Sequence, residues 1–183
     1  MRNPKVNYFL LLLGLIAVSA IPVIAQKDYP VPPKTKTLLF YFQRNHNRNT
    51  VVYELNTLPD GRINIKEPVI GYWIRYEEGG VRKELSFLQL RGYGIQSKLV
   101  DKEKESFILH FNSMSKREIY LLKAGKSEQY KTYIKINGEL SELTNMYLQA
   151  ENNSLGIPLS VKYVDISGIN LKTGKNVTER FKP

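Results

Sequence analysis

Short runs in which apolar and polar residues alternate fill most of the chain beyond residue 37. The clearest run is YKTYIKI at 130–136, and it leads directly into the pair Asn137-Gly138. An Asn-Gly pair accepts the positive φ angles that a type I′ hairpin turn requires at both central positions. Further turn signals stand at Pro59-Asp60-Gly61 and Thr173-Gly174, because proline and glycine favour tight turns. The pattern predicts a mainly β fold of roughly eight to ten short strands, arranged as an antiparallel sandwich or small barrel.

One stretch departs from this alternation. Residues 82–92 (RKELSFLQLRG) place Leu85 and Leu88 at the spacing of one helix face, and Gly92 suits the end of a helix. The sequence therefore predicts one short helix over this stretch, inside a single β domain that covers residues 38–183.

The start of that domain is marked by a change in composition. Residues 26–37 contain three prolines, Pro30, Pro32 and Pro33, and are expected to form an extended lead-in. The following run, LLFYFQ at 38–43, is apolar at almost every position. Such a run is typical of a strand that is covered on both faces.

Residues 1–25 are typical of a secretory signal peptide. Arg2 and Lys5 precede an unbroken apolar stretch at 8–18, and small residues follow it,. Cleavage is expected near Ala25, with Ala20 as the second option. An uncleaved N-terminal membrane anchor is the alternative, because the apolar stretch and its flank are about long enough to span a bilayer. Both interpretations place the mature domain outside the cytoplasm, in the periplasm or the extracellular space.

Composition narrows the partners that the mature domain can have. The chain has no cysteine, so an exported domain of this kind must be held together by its core. Its formal net charge is +10, which falls to +8 when Arg2 and Lys5 leave with the signal. Anionic envelope components, glycan or lipid head group, or another envelope protein are the expected partners, and nucleic acid is not expected. The cations are scattered, as on an ordinary basic surface.

The side chains that catalysis and metal binding need are few. His46 and His110 are the only histidines, so no metal and no cofactor is predicted. There is no Gly-x-Ser-x-Gly elbow,, and Gly92 and Gly94 lack the third glycine of a phosphate-binding loop. No catalytic residue is predicted, and the interpretation leans towards a non-catalytic binding or interaction module of the cell envelope. The alternative is a carboxylate-based hydrolase acting on envelope glycans, because paired carboxylates can come from distant strands.

Two features support a binding role. The polar loop 43–50 contains three asparagines, two arginines and a histidine, and its alternative interpretation is a solvated hairpin loop. Arginines also alternate with aromatic residues between 72 and 93, although aromatic residues in strands most often form core or cross-strand pairs. By strand parity Trp73 and Arg75 share one face and Tyr76 lies on the other. The predicted ligand-binding residues are Arg44, His46, Arg48, Trp73, Arg75 and Tyr76.

Several short motifs together resemble a known family. They are FYFQR at 40–44, NTVVYE at 49–54, YWIRY at 72–76, RKEL at 82–85 and YGI at 93–95. This combination resembles an uncharacterised bacterial family of exported domains of unknown function (4833-like), over most of the mature chain. The resemblance implies an exported single domain, and it brings no activity, cofactor or catalytic residue with it.

Overall fold

The computed structural model describes residues 29–125, 129–151 and 160–182. The predicted signal peptide and its cleavage site lie outside these ranges. Within them, no helix is long and apolar enough to cross a membrane. The elements in chain order are β1 (Leu38–Arg44), β2 (Thr50–Leu55), β3 (Val69–Arg75), a 3-10 turn (Tyr76–Glu78), β4 (Val81–Glu84), α1 (Phe87–Tyr93), β5 (Ile95–Asp101), β6 (Ser106–Phe111), β7 (Met114–Lys123), β8 (Tyr130–Ile136), β9 (Glu139–Ala150), β10 (Val161–Asn170) and β11 (Asn176–Phe181).

These strands form one curled sheet with the shape of a half-barrel. Its main path runs β4-β3-β2-β1-β9-β8-β7-β6-β5, and β10 with β11 extends from the other side of β9. The 12-residue strand β9 is the hub, because it pairs with β8 near its start, with β1 near its end and with β10 along most of its length. The mainly β fold with one short helix is thus confirmed. The β1–β9 pair is parallel, in a sheet that is otherwise antiparallel among the described strands.

The inner face of the half-barrel holds the hydrophobic core. Strand β6 shows the pattern, since Phe107, Leu109 and Phe111 are buried while the residues between them are partly exposed. The ring of Phe111 makes edge contacts with those of Phe40 and Tyr53, at centroid distances of 6.1 and 5.5 Å. Each apolar side chain buried in this way contributes about 1.5–3 kcal/mol, which makes strand alternation the main source of stability.

The outer face of β1 and β2 is covered by the lead-in. Gln43 Nε2 donates to the carbonyl oxygen of Pro30 at 3.0 Å, and Thr35 Oγ1 donates to Glu54 Oε1 at 3.0 Å. Gln43 and Glu54 are both buried. These contacts confirm the prediction that the first strand of the domain is covered on both faces.

The predicted hairpin turn at Asn137-Gly138 is confirmed. Asn137 has φ 51° and Gly138 has φ 81°, the left-handed conformations that a type I′ turn requires. The turn joins β8 to β9, and Ile136 pairs with Glu139 across it. The signals at 59–61 and 173–174 also lie in turns between strands.

The predicted helix exists, but its predicted start is wrong. Residues 81–84 form β4, in which Lys83 pairs with Trp73 of β3. The helix begins only at Phe87, because Ser86 and Gln89 form a capping box there. It ends at Tyr93, one residue beyond the predicted glycine. The alternation pattern also fails to predict β5, a strand whose residues are mostly exposed and therefore show no apolar face.

Candidate functional site

The polar loop between β1 and β2 is held in place by its own asparagines. Asn45 Nδ2 donates to the carbonyl oxygen of Ala150 at 3.0 Å, and Asn45 Oδ1 accepts from the Ala150 amide at 2.9 Å. Asn47 Oδ1 accepts from the amide of Asn49 at 3.2 Å, and Asn49 Oδ1 accepts from the amide of Glu77 at 3.2 Å. These side chains brace the loop, which is more than a solvated hairpin connection.

The loop lies beside the end of β3, as the predicted composite site requires. Strand β2 pairs with β3 from the loop onward, with Thr50 opposite Ile74. The amide of Arg48 donates to Glu77 Oε1 at 3.1 Å. The structure therefore brings the two predicted halves of the site to the same end of the sheet.

Arg44, the first predicted residue, is buried. It is 7% exposed and points to the inner face, on the same side of β1 as Phe42. Its guanidinium carbon lies 4.7 Å from the centroid of the Trp73 ring, and its Nη1 donates to the hydroxyl oxygen of Tyr93 at 3.3 Å. Trp73 is 2% exposed and meets Tyr93 edge-on at 5.5 Å. Arg44, Trp73 and Tyr93 are referred to below as the buried arginine cluster.

The other predicted residues do not share one surface. Arg75 forms an ion pair with Glu78 in the next turn. Tyr76 lies on the outer face near Tyr41, where burial, and then the neighbouring Tyr76, raise the pKa of Tyr41. Arg48 is exposed on the loop, and its neighbour His46 is partly exposed. The parity argument that separated Tyr76 from Arg75 and Trp73 agrees with this arrangement, in which Arg44 and Trp73 are buried on the inner face.

A second region forms a cleft of about 530 Å³. It lies at the seam where the β3 end of the curled sheet approaches β5, with α1 beside it. Strand β4 pairs with β3 from Tyr72 to Arg75 and does not extend along Val69–Gly71, so the seam opens there. This region is referred to below as the seam cleft. Its lining includes Tyr53, Tyr72, Arg82, Glu84, Tyr93 and Asn112.

An arginine stacks on a tyrosine inside the seam cleft. The guanidinium carbon of Arg82 lies 3.5 Å from the centroid of the Tyr72 ring, and Nη1 lies 3.6 Å from Glu54 Oε2. Burial, followed by the negative charge of Glu54, raises the pKa of Tyr72 to about 12, so the phenol is neutral at physiological pH. The Arg82 side chain is 58% exposed. A guanidinium over a ring can still present N–H donors suited to a carboxylate or phosphate.

The profile of the family described as domain of unknown function DUF4833 matches residues 40–180. The chain belongs to the DUF4833 family. The matched range contains both the buried arginine cluster and the seam cleft, so both are features of the DUF4833 domain itself. No curated protein and no solved structure matches the chain. The family resemblance is confirmed, while bacterial origin and export stay predictions.

Two glycines of the DUF4833 domain shape the seam cleft. A Cβ at Gly71 would lie 3.0 Å from the ring of Tyr53, and a Cβ at Gly94 would lie 2.4 Å from the carbonyl oxygen of Leu90. Any larger residue would therefore disturb the walls. A glycine inside a strand pattern is a sequence sign of close approach, and Gly71 within VIGYWIR is the signal that could have pointed to this region.

Carboxylates also reach the seam cleft of the DUF4833 domain. Glu67 and Glu84 both line it, and both are exposed. Within the described residues, no group of three or more histidines, aspartates and glutamates could hold a metal ion. The exposed groups that a ligand could meet in the cleft therefore include the Arg82 guanidinium and two separate carboxylates, whereas the tyrosine rings of its walls are buried.

Proposed function

We propose that the chain is an exported, non-catalytic binding module of the cell envelope, and that its seam cleft binds acidic glycans. The observation that carries the proposal is Arg82 stacked on Tyr72 at 3.5 Å within a cleft of about 530 Å³. The guanidinium would bind a sugar carboxylate or phosphate through paired hydrogen bonds.

The character of the whole chain supports the same class of ligand. The charged start and apolar stretch at the N-terminus favour export. The mature domain is basic, with a net charge of +8 once Arg2 and Lys5 are removed. A basic protein outside the cytoplasm attracts anionic partners before any specific contact forms, so an acidic envelope glycan suits both the compartment and the cleft.

The six ligand-binding residues predicted from the sequence, referred to below as the predicted rim, form the second location for a ligand. Arg44 and Trp73 are buried, and Tyr76 lies on the opposite face of the strand from Arg75, which leaves His46, Arg48 and Arg75 as the members that one ligand could reach together. Of these three side chains, Arg75 is already held in an ion pair with Glu78. The seam cleft is therefore our first choice, and the rim is the alternative that the experiments below separate from it.

Calorimetric titration of the mature chain, residues 26–183, tests the proposal. The acidic probe is oligogalacturonate, and its methyl ester is the matched neutral probe. We expect binding of the acid and loss of most of that binding with the ester. Arg82→Gln should bind the acid about tenfold more weakly or worse, because hydrogen bonds to charged groups contribute about 1.5–3 kcal/mol.

Arg62→Gln is the matched control, since Arg62 is an exposed arginine of a turn that pairs with Asp60 at 2.7 Å. It should bind the acidic probe as the unaltered chain does. Equal binding by Arg82→Gln and the unaltered chain would contradict the assignment of the cleft. Equal binding of the acid and its ester would contradict the class of ligand.

A hydrolase is the second candidate, because Glu67 and Glu84 line the same cleft. Glycoside hydrolysis requires two carboxylates roughly 5–10 Å apart on either side of the bond. Incubation with oligogalacturonate and with peptidoglycan, followed by an assay for new reducing ends, separates the two functions. Turnover that Glu67→Gln or Glu84→Gln abolishes would establish the hydrolase, whereas binding without new reducing ends supports the binding module.

A further inference from the structure

The short helix α1 carries three exposed apolar side chains. Phe87 is 71% exposed, Leu88 is 55% exposed and Leu90 is 42% exposed. These three residues, referred to below as the apolar ridge, lie within one seven-residue element. Exposed apolar residues that cluster in this way mark an interaction surface, whereas single ones need no explanation.

We propose that the apolar ridge docks the domain onto the surface of an anionic lipid bilayer. The charge around α1 supports this occupant. Between residues 81 and 98 the cations are Arg82, Lys83, Arg91 and Lys98, and the one acid is Glu84. Apolar residues that enter the interface, with cations beside them at the level of the head groups, are the two components of peripheral membrane binding.

One of these cations is already placed beside the ridge. The guanidinium carbon of Arg91 lies 5.1 Å from the centroid of the Phe87 ring. A long cationic side chain can keep its stem along an apolar surface and its charge in the head-group layer. Arg91 therefore allows Phe87 to enter the interface without carrying a charge into the hydrocarbon.

Backbone groups at both ends of α1 are hydrogen-bonded within the protein, which lowers the cost of moving the helix to a lipid surface. Ser86 begins the helix with a capping box that satisfies amides at its start. At its end, Asn112 Nδ2 donates to the carbonyl oxygen of Leu90 at 2.7 Å, and Ser113 Oγ donates to that of Gly92 at 2.6 Å. Unsatisfied backbone groups are costly at a lipid surface. The turn between β6 and β7 thus supplies hydrogen-bond donors to two carbonyl groups at the end of α1, so these groups are already paired before the helix meets a lipid surface.

The size of the ridge favours a bilayer over a protein partner. A stable protein interface buries about 800 Å² on each side, which three side chains on one short helix do not supply alone. Symmetric docking of a second copy would place the cationic flanks of two ridges against each other, and like charges in contact are unfavourable. A bilayer needs only shallow insertion of a few side chains together with attraction to anionic head groups.

Vesicle co-sedimentation of the mature chain tests this inference. Phosphatidylcholine vesicles are compared with vesicles that also contain phosphatidylglycerol, at low and at high salt. We expect binding to the anionic vesicles that weakens as salt is added. The double variant Phe87→Ser with Leu88→Ser should lower the partition coefficient by about tenfold or more, because two large apolar side chains no longer enter the interface.

The matched control is Val100→Ser with Leu171→Ser, two exposed apolar residues that lie away from α1. This control should bind like the unaltered chain, and thermal unfolding should show that both variants are folded. A second readout is Leu88→Trp, whose emission should shift to the blue on anionic vesicles, while the buried Trp73 does not respond. Absence of vesicle binding, or equal loss in the control, would overturn the proposal. Chain dimerisation lost only in the ridge variant would assign the ridge to a second copy instead.

Discussion

Two arginines in this domain stack on aromatic rings of the same strand, and they differ in burial. Arg44 lies over Trp73 on the inner face and is 7% exposed. Arg82 lies over Tyr72 in the seam cleft, with 58% of its side chain exposed. The chemistry of the two pairs is the same, but one is sealed inside the core and the other faces a cleft. Burial therefore gives the first pair a structural role, whereas the exposure of the second is what the proposed recognition role requires.

The largest expected effect of that difference is on Trp73. Trp73→Ala should lower the free energy of unfolding by about 3–5 kcal/mol, because it leaves a large cavity in the core. Denaturation by urea measures the change, and Leu171→Ala, at an exposed position, is the control that should change little. A loss below about 1 kcal/mol, the size expected of surface substitutions, would show that the buried arginine cluster is not closed in solution.

The second effect is on Arg44 itself. Arg44→Ala should cost about 2 kcal/mol, the value of a desolvated cation–π contact. Arg44→Lys keeps the charge but loses the flat guanidinium, so it should recover only part of the stability. Chemical denaturation of both variants checks this. If Arg44→Ala unfolds like the unaltered chain and loses affinity for an acidic ligand, Arg44 belongs to the binding site instead.

The third effect is on how the stability of the fold depends on pH through Tyr72, the ring under Arg82. Burial, with Glu54 as the second cause, raises the pKa of Tyr72 from 10.0 to about 12. The folded state holds this proton more tightly than the unfolded chain. The contribution of Tyr72 to stability is therefore fully present below pH 10 and is lost as the pH rises to about 12,.

Tyrosinate absorbance and thermal unfolding between those pH values check this prediction. Tyr72→Phe should remove one titrating phenol and make the fall in stability shallower. Arg82→Gln should raise the pKa of Tyr72 further, because the guanidinium charge lowers it. If Tyr72→Phe instead removes a phenol that titrates near the ordinary value of 10.0, Tyr72 lies in water and is separate from Arg82.

The smallest expected effect is on the stability of Arg82→Gln. Arg82 is largely exposed and its ion pair with Glu54 is 3.6 Å long, so its loss should cost about 0.2–1 kcal/mol. Thermal unfolding of Arg82→Gln and of Arg44→Ala under the same conditions compares the two losses of stability directly. A loss as large as that of Arg44→Ala would show that Arg82 is structural, and the proposed recognition role would then lose its basis.

Much of the sheet could be predicted because its signals are local. Alternation identifies strands such as β8, and Asn137-Gly138 identifies the turn after it from two residues alone. Strand β5 could not be predicted, since an exposed edge strand has no apolar face to show. The start of α1 was missed because Leu85 and Leu88 have helical spacing, although Leu85 is a buried residue ahead of the helix.

The candidate site was harder to predict because it depends on contacts between distant segments. The aromatic and arginine residues between 72 and 93 were recognised, but their burial follows from how the sheet curls. Arg44 and Arg82 look equivalent in the sequence. Only the closure of the inner face over Arg44, and the gap between β3 and β5 beside Arg82, separates them. Both the closure over Arg44 and the gap beside Arg82 are formed by segments that are distant in the sequence.

The most direct test of the account is an NMR titration of the mature chain with oligogalacturonate. Backbone amide shifts report where the acidic glycan binds, without any assumption about its role. The account predicts shifts at the seam cleft, with Gly71, Arg82 and Gly94 among the largest, and little change at the polar loop. Shifts that centre instead on His46 and Arg48 would contradict it, and would place the ligand on the predicted rim.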